Sequence, residues 1–112
     1  IKQYHWDDIK DLPRDGSVTL LDTRTAYEYK SGHIDGYINI PVDDLRDRLN
    51  ELDRSKPVYV ICQSGLRSYI ACRILSQNGF DCYNFSGGYR FYASVIKEKE
   101  MSEYTYPCGM EK

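Results

Sequence analysis

The sequence predicts an α/β domain built on a mainly parallel sheet, and three observations predict it. Short apolar runs bounded by Pro, Gly and Asn alternate with longer amphipathic segments, the pattern of strand-helix repeats. The chain has 112 residues, of which 41% are hydrophobic and 29% charged, enough for one core and an ordinary globular surface. The most apolar run ends in a cysteine that opens a short Gly-containing loop and a helical segment, and open α/β sheets place their sites at such strand ends.

Trp6 to Leu12 reads as a first helix, and Val18 to Leu21 as a short buried strand. Thr25 to Lys30 is helical, Tyr37 to Ile40 extended, and Pro41 marks the edge between that strand and a helix over Val42 to Leu52. Pro57 opens the best strand of the chain, Val58 to Ile61. A helix over Arg67 to Asn78 stops at Asn78-Gly79, because glycine accepts the left-handed conformation that ends a helix. Cys82 to Phe85 is a further strand, and Tyr89 to Lys97 a last helix. Residues 99 to 112, with Pro107 and Gly109 among mixed polar groups, read as a loosely held tail, so the domain occupies residues 1–98. Most of the eleven tyrosines fall where an amphipathic ring covers the edge of a core.

Fifteen basic against seventeen acidic residues give a formal charge of -2 with no dense Lys/Arg stripe, so nucleic acid and an anionic membrane are not expected partners. No apolar run approaches the ~20 residues of a membrane span. The chain starts at Ile1 with no initiator Met and no signal pattern, as expected of a segment of a longer polypeptide. The four cysteines, at 62, 72, 82 and 108, show no C-x-x-C spacing and no nearby histidine pair, so no metal site is expected. A domain with its own apolar core needs no disulfide framework and a reactive thiol needs a reducing compartment, which predicts the cytoplasm.

Cys62 is the candidate nucleophile. It ends the Val58–Ile61 strand and is followed by Gln63, Ser64, Gly65, Leu66, Arg67 and Ser68, a tight loop that feeds a helix N-terminus. Amides in such a loop point inward and favour a thiolate, as well as the anion of a persulfide attached to it. Four residues, Gln63 to Leu66, separate Cys62 from Arg67, whereas a tetrahedral phosphate needs a wider ring, so this cradle suits sulfur better. Arg67 either pairs with Asp22 or Glu28 and holds the loop in shape, or donates directly to a substrate. Cys72, beside Ile74 and Leu75 on an apolar helix face, reads as core, as does Cys82; Cys108 in the tail is the one cysteine that could move, either incidental, as a tail cysteine with no partner motif usually is, or able to resolve a Cys62 persulfide or disulfide.

Four separated pieces resemble the rhodanese (sulfurtransferase) family in order. They are Leu20-Leu21-Asp22-Thr23-Arg24 with Glu28, Gly32-His33-Ile34-Asp35-Gly36-Tyr37-Ile38-Asn39-Ile40-Pro41, the Cys62 loop, and Ser86-Gly87-Gly88-Tyr89. Leu45 to Tyr89 is most similar to the rhodanese domain fused behind flavin-dependent pyridine-nucleotide disulfide reductases of the coenzyme A-disulfide reductase type. The resemblance implies a five-stranded, mainly parallel sheet with helices on both faces, the extra strand coming from Lys2 to Tyr4. It implies that Asp22, Arg24 and Glu28 brace the site and that His33 braces the fold; a thiolate already ionised by its cradle needs no general base. Gly87 and Gly88 let the backbone pass close to the active loop, with Tyr89 and Arg90 at the pocket rim.

The implied activity is transfer of a sulfane sulfur from a persulfide, polysulfide or thiosulfate to a thiol or cyanide acceptor through a Cys62 persulfide. The domain itself then needs no cofactor, while a fused N-terminal flavoprotein domain would carry FAD and NAD(P)H. Neutral Gln63, Ser64 and Leu66, where rhodaneses that prefer thiosulfate look more basic, favour a weakly anionic or larger donor, with glutathione or coenzyme A persulfide as examples. Two other classes remain in view: a docking or sulfur-sensing module without catalysis, and the cell-cycle phosphatases and arsenate reductases, whose loop carries five residues between Cys and Arg.

Overall fold

The structure is a computed structural model that describes residues 2–85 and 87–105, with side chains as far as residue 97. Five strands, β1 (Lys2–Gln3), β2 (Thr19–Asp22), β3 (Ile38–Asn39), β4 (Val58–Ile61) and β5 (Cys82–Asn84), form one sheet in the order β1-β5-β4-β2-β3. Every pairing is parallel. The central strand is β4, whose Val58, Val60 and Ile61 are fully buried, as a parallel strand covered on both faces requires. The strand taken from the resemblance at Lys2 to Tyr4 is present but short, an exposed edge strand with Tyr4 N–H still donating to Asn84 C=O.

Helices lie on both faces. On one, α2 (Leu66–Gln77) packs Ala71, Cys72, Ile74 and Leu75 onto Leu21, Val58 and Val60, with Leu45 and Leu52 beside them. On the other, Ile9, Ile34, Tyr37 and Phe85 close over Leu20 and Ile61, and Tyr89 and Tyr92 of α3 (Gly88–Thr105) pack against them. Tyr4 is buried in this second layer, where its hydroxyl accepts from Tyr37 (2.8 Å) and donates to Val60 C=O (3.2 Å). Burial pushes the Tyr4 phenol well above its ordinary range, so it remains a donor.

Two expected α-helices are 3-10 helices instead, Trp6–Asp11 and Val42–Glu51, the second kinked at Arg48. Both are rich in Asp, which competes for backbone hydrogen bonds, and each buries only one residue, Ile9 or Leu45, so packing supplies little to hold a full α-turn. The last helix is longer than expected and runs through Thr105, over residues placed in the tail by their polarity. Ser86 and Cys108 lie outside the described residues. Among those described, no helix is long and apolar enough to cross a membrane, and no group of His, Cys, Asp and Glu could hold a metal ion.

Candidate active site

Cys62 follows β4 directly and its side chain is fully buried at the carboxyl end of the sheet. Its sulfur accepts the Gly65 N–H at 3.0 Å. The thiol donates to Ser68 Oγ at 3.4 Å, and Ser68 passes its own hydrogen to Gly65 C=O at 3.1 Å. A proton on Cys62 therefore has a hydroxyl beside it, and an anion there has one amide aimed at it and one hydroxyl able to turn towards it. Gly65 adopts φ +105° as it hands the loop to α2, a conformation that costs a residue with a Cβ about 1–2 kcal/mol.

The loop's carbonyls face the other way and are capped by the start of α3. Tyr89 N–H donates to Cys62 C=O at 2.6 Å and Arg90 N–H to Gln63 C=O at 3.0 Å. This contact explains the glycine pair. A Cβ on Gly88, which has φ +73°, would lie 2.4 Å from Gln63 O and 2.7 Å from Ser64 Cα, so only glycine lets the two backbones meet. At Gly87 a Cβ would press only on the Phe91 side chain, at 3.1 Å.

The bracing residues resolve into two separate ion pairs. Arg24 is 2% exposed and grips Asp22 through Nε (3.0 and 3.1 Å) and NH2 (2.8 Å). Its remaining donors reach Gly32 C=O (2.8 Å) and Gln63 Oε1 (3.3 Å), and its guanidinium lies over the Tyr89 ring, 4.2 Å from the centroid. One buried side chain thus ties β2, the end of α1 (Ala26–Ser31), the active loop and α3 together. Arg67 instead makes a bidentate pair with Glu28, NH1 to Oε1 at 2.7 Å and NH2 to Oε2 at 2.9 Å. Of the two roles open to Arg67, the structure displays the bracing one, and the partner is Glu28 rather than Asp22. The Arg67 guanidinium holds the Glu28 carboxyl down at about 2.

His33 is exposed, stacks on Tyr29 at 3.7 Å between ring centroids, and donates from Nδ1 to Tyr29 C=O at 2.9 Å. It closes the end of α1 and makes no hydrogen bond to the loop. Ser64 is exposed and Leu66 is 68% exposed, so neither side chain is spent on packing. Cys72 and Cys82 are buried free thiols, Cys82 Sγ donating to Cys72 C=O at 3.4 Å; the neighbouring Cys82 thiol, together with burial, pushes the Cys72 thiol far above its ordinary range. Within that pair Cys82 is the thiol that is lowered, to about 6, and its sulfur also contacts Ser76 Oγ at 3.3 Å.

Two participants escaped the reading of the sequence. Asn39 Nδ2 donates to Asp22 C=O (3.0 Å) and Arg24 C=O (2.9 Å), fixing the turn that carries the buried pair, and a lone Asn on an edge strand gives no sign of this. Thr25 caps α1, its Oγ1 accepting Glu28 N–H (3.2 Å) while Glu28 Oε1 accepts Thr25 N–H (3.0 Å). That signal was available, since Thr25-x-x-Glu28 has the spacing of a capping box.

A parallel sheet with a cysteine loop at the carboxyl end of its central strand defines an open α/β domain with a thiol at its candidate site. The chain belongs to the rhodanese-like domain family, whose profile matches residues 5–94. It is 42% identical over 82 residues to YqhL of Bacillus subtilis, covering 72% of this chain and 65% of that protein. It is 34% identical over 74 residues to the thiosulfate sulfurtransferase GlpE of Shewanella oneidensis, covering 65% and 73% respectively. The crystal structure of reduced Bacillus anthracis CoADR-RHD superposes with a TM-score of 0.81 at 40% identity, over 88% of this chain and 17% of that one. The chain thus spans less than two thirds of YqhL and about a sixth of CoADR-RHD.

Proposed function

We infer that the protein is a sulfurtransferase that carries a sulfane sulfur on Cys62. The observation that carries this reading is the pairing of a buried sulfur with an inward amide, Gly65 N–H at 3.0 Å, at the mouth of the central strand. In the first step the Cys62 thiolate attacks the outer sulfur of a donor R–S–S⁻. A Cys62 S–S bond forms, the donor S–S bond breaks, and its electron pair leaves on R–S⁻. The terminal sulfur of the resulting persulfide is an anion, favoured by a loop whose Gly65 amide already donates to the sulfur of Cys62. An acceptor thiolate or cyanide then attacks that outer sulfur, and the electron pair of the broken bond returns to Cys62. No external oxidant or reductant is consumed.

The ion pairs favour a persulfide or polysulfide of a small thiol over thiosulfate as the donor. Arg67 has both terminal nitrogens on Glu28 and Arg24 is buried on Asp22, so neither is free for a dianion, and among the described residues the remaining cation near the loop is Arg90, at the rim beside Gln63. The likeness to CoADR-RHD, of which this chain covers 17%, supports a place within a larger polypeptide. The resemblance of Leu45 to Tyr89 to domains behind flavin-dependent disulfide reductases points to an N-terminal neighbour holding FAD and NAD(P)H, and a reactive thiol favours the cytoplasm. A flavin absorbance band in the natively purified full-length polypeptide tests that arrangement.

The transfer itself is tested by incubating the domain with glutathione persulfide or, separately, thiosulfate, and then adding cyanide. Thiocyanate formed faster from the persulfide, and not formed by Cys62→Ala, is the expected result. No thiocyanate from either donor overturns the reading.

A further inference from the structure

A cleft of about 350 Å³ opens beside the active loop, between α2, the Val42–Glu51 helix and the end of β2. Two of its lining residues reach the chain on either side of the nucleophile. Arg67 closes the Cys62 loop, and Thr23 donates from both N–H (2.9 Å) and Oγ1 (3.0 Å) to the carbonyl of Ile61, the residue before Cys62. Its apolar wall is aliphatic, formed by Val42, Ile70 and Ile74. Ile70 is 44% exposed although the next two residues of α2, Ala71 and Cys72, are fully buried, so this part of the wall is open to a ligand rather than filled by the protein.

The outer end of the cleft carries Arg46. The ion pairs among the described residues are Lys2–Asp81, Arg24–Asp22, Arg48–Glu51 and Arg67–Glu28, so Arg46 has its guanidinium fork unengaged. The lining carboxylate, Asp43, lies three residues before Arg46 and does not pair with it either. An aliphatic wall that begins at Arg67, the end of the Cys62 loop, and carries an unengaged guanidinium matches a molecule with a thiol at one end, a hydrocarbon stem, and a carboxylate or phosphate at the other.

We propose that this cleft is the acceptor subsite, and that it selects small aliphatic thiols with an anionic end, Arg46 reading the charge and Ile70 the stem. The proposal rests on the sulfurtransferase reading. The acceptor thiolate attacks the outer sulfur of the Cys62 persulfide, a new S–S bond forms on the acceptor, the Cys62 S–S bond breaks, and its electron pair stays on Cys62. Arg46 and Ile70 touch only the remote parts of the acceptor and are specificity residues.

The test compares 6-mercaptohexanoate, 6-mercaptohexyl phosphate and 6-mercaptohexanol as acceptors from the pre-loaded protein, with 2-mercaptoethanol as the stemless control. Arg46→Ala raises KM for the anionic thiols about three- to fivefold, the size of one exposed ion pair, with kcat and the KM for mercaptohexanol unchanged. Ile70→Ser raises KM for all three six-carbon thiols and leaves 2-mercaptoethanol alone. The ratio between the carboxylate and phosphate arms says which anion Arg46 prefers. Equal effects of Arg46→Ala on charged and neutral thiols, or none on either, overturn the subsite. A second readout uses no sulfur chemistry: heptanoate binding to the unmodified protein, followed by ligand-observed NMR, is lost in Arg46→Ala. If heptanoate binds through Arg46 but Cys62 never loads, the subsite stands and the transfer reading fails; if Cys62 loads but heptanoate ignores Arg46, the reverse holds.

Discussion

Glu28 and Arg67 join the first turn of α1 to the first turn of α2 by two parallel hydrogen bonds of 2.7 and 2.9 Å, directly beside the loop that carries Cys62. The pair occupies the cation that a Cys-to-Arg loop would otherwise present to an anionic donor. Glu28→Gln keeps the capping geometry of α1 but weakens the hold on Arg67. We expect it to lower the KM for thiosulfate several-fold, while loading by a persulfide changes little; steady-state kinetics with both donors checks this. Arg67→Ala leaves no cation to release and gives no such gain.

The same pair sets an acid limit. Arg67 depresses the Glu28 carboxyl from 4.5 to about 2, so its contribution to stability is present above the ordinary value and is lost as the pH falls through the depressed one. Urea unfolding of the wild type and Glu28→Gln at a series of pH values should give a difference that is flat above pH ~5 and shrinks towards pH ~2. The two side chains are 32% and 29% exposed, so the difference at neutral pH is small, about 1 kcal/mol or less.

Asp22 and Arg24 behave differently because both are buried, at 1% and 2% exposure. Asp22→Asn leaves the Arg24 charge without its partner and is expected to cost about 3–5 kcal/mol in chemical denaturation. Combining it with Arg24→Met removes the orphaned charge, so the double variant loses less than the sum of the two singles.

Gly88→Ala drives a Cβ to within 2.4 Å of Gln63 O. Gly16 has a similar left-handed backbone, φ +89°, with nothing within 4 Å of its Cβ position, and serves as the control. We expect Gly16→Ala to cost about 1–2 kcal/mol from backbone strain alone and Gly88→Ala clearly more, with slower sulfur loading in Gly88→Ala only. Equal costs would mean that the loop does not rest on α3.

Ser68→Ala removes the hydroxyl that, among the described residues, bonds the Cys62 sulfur. Loss of a hydrogen bond to a charged sulfur predicts about 10-fold slower persulfide formation, followed by quenched-flow mass analysis, with a stability cost of about 1 kcal/mol from the lost Ser68 bond to Gly65 C=O.

Much of this site is legible in the sequence because it is local. Val58–Ile61, Cys62, the four-residue gap to Arg67 and the helix that follows are contiguous, and the structure moves the helix start only from Arg67 to Leu66. What the sequence leaves open is pairing at a distance: Arg67 has two carboxylates to choose from, and the choice depends on Arg24 having already taken Asp22. The 3-10 character of Trp6–Asp11 and Val42–Glu51 is hidden for a related reason, since it follows from how little each segment buries. The length of α3 was misjudged from polarity. Residues 97 to 100, Lys-Glu-Lys-Glu, are good helix formers, and the helix breaker Pro107 comes two residues after the helix's last residue, Thr105.

The most direct test of the account is the intact mass of the protein after incubation with glutathione persulfide, beside Cys62→Ala and Cys72→Ala. The account predicts that the wild type and Cys72→Ala each gain the mass of one sulfur atom, that cyanide removes it, and that Cys62→Ala gains nothing. No gain by the wild type, or a gain that survives in Cys62→Ala, would contradict it.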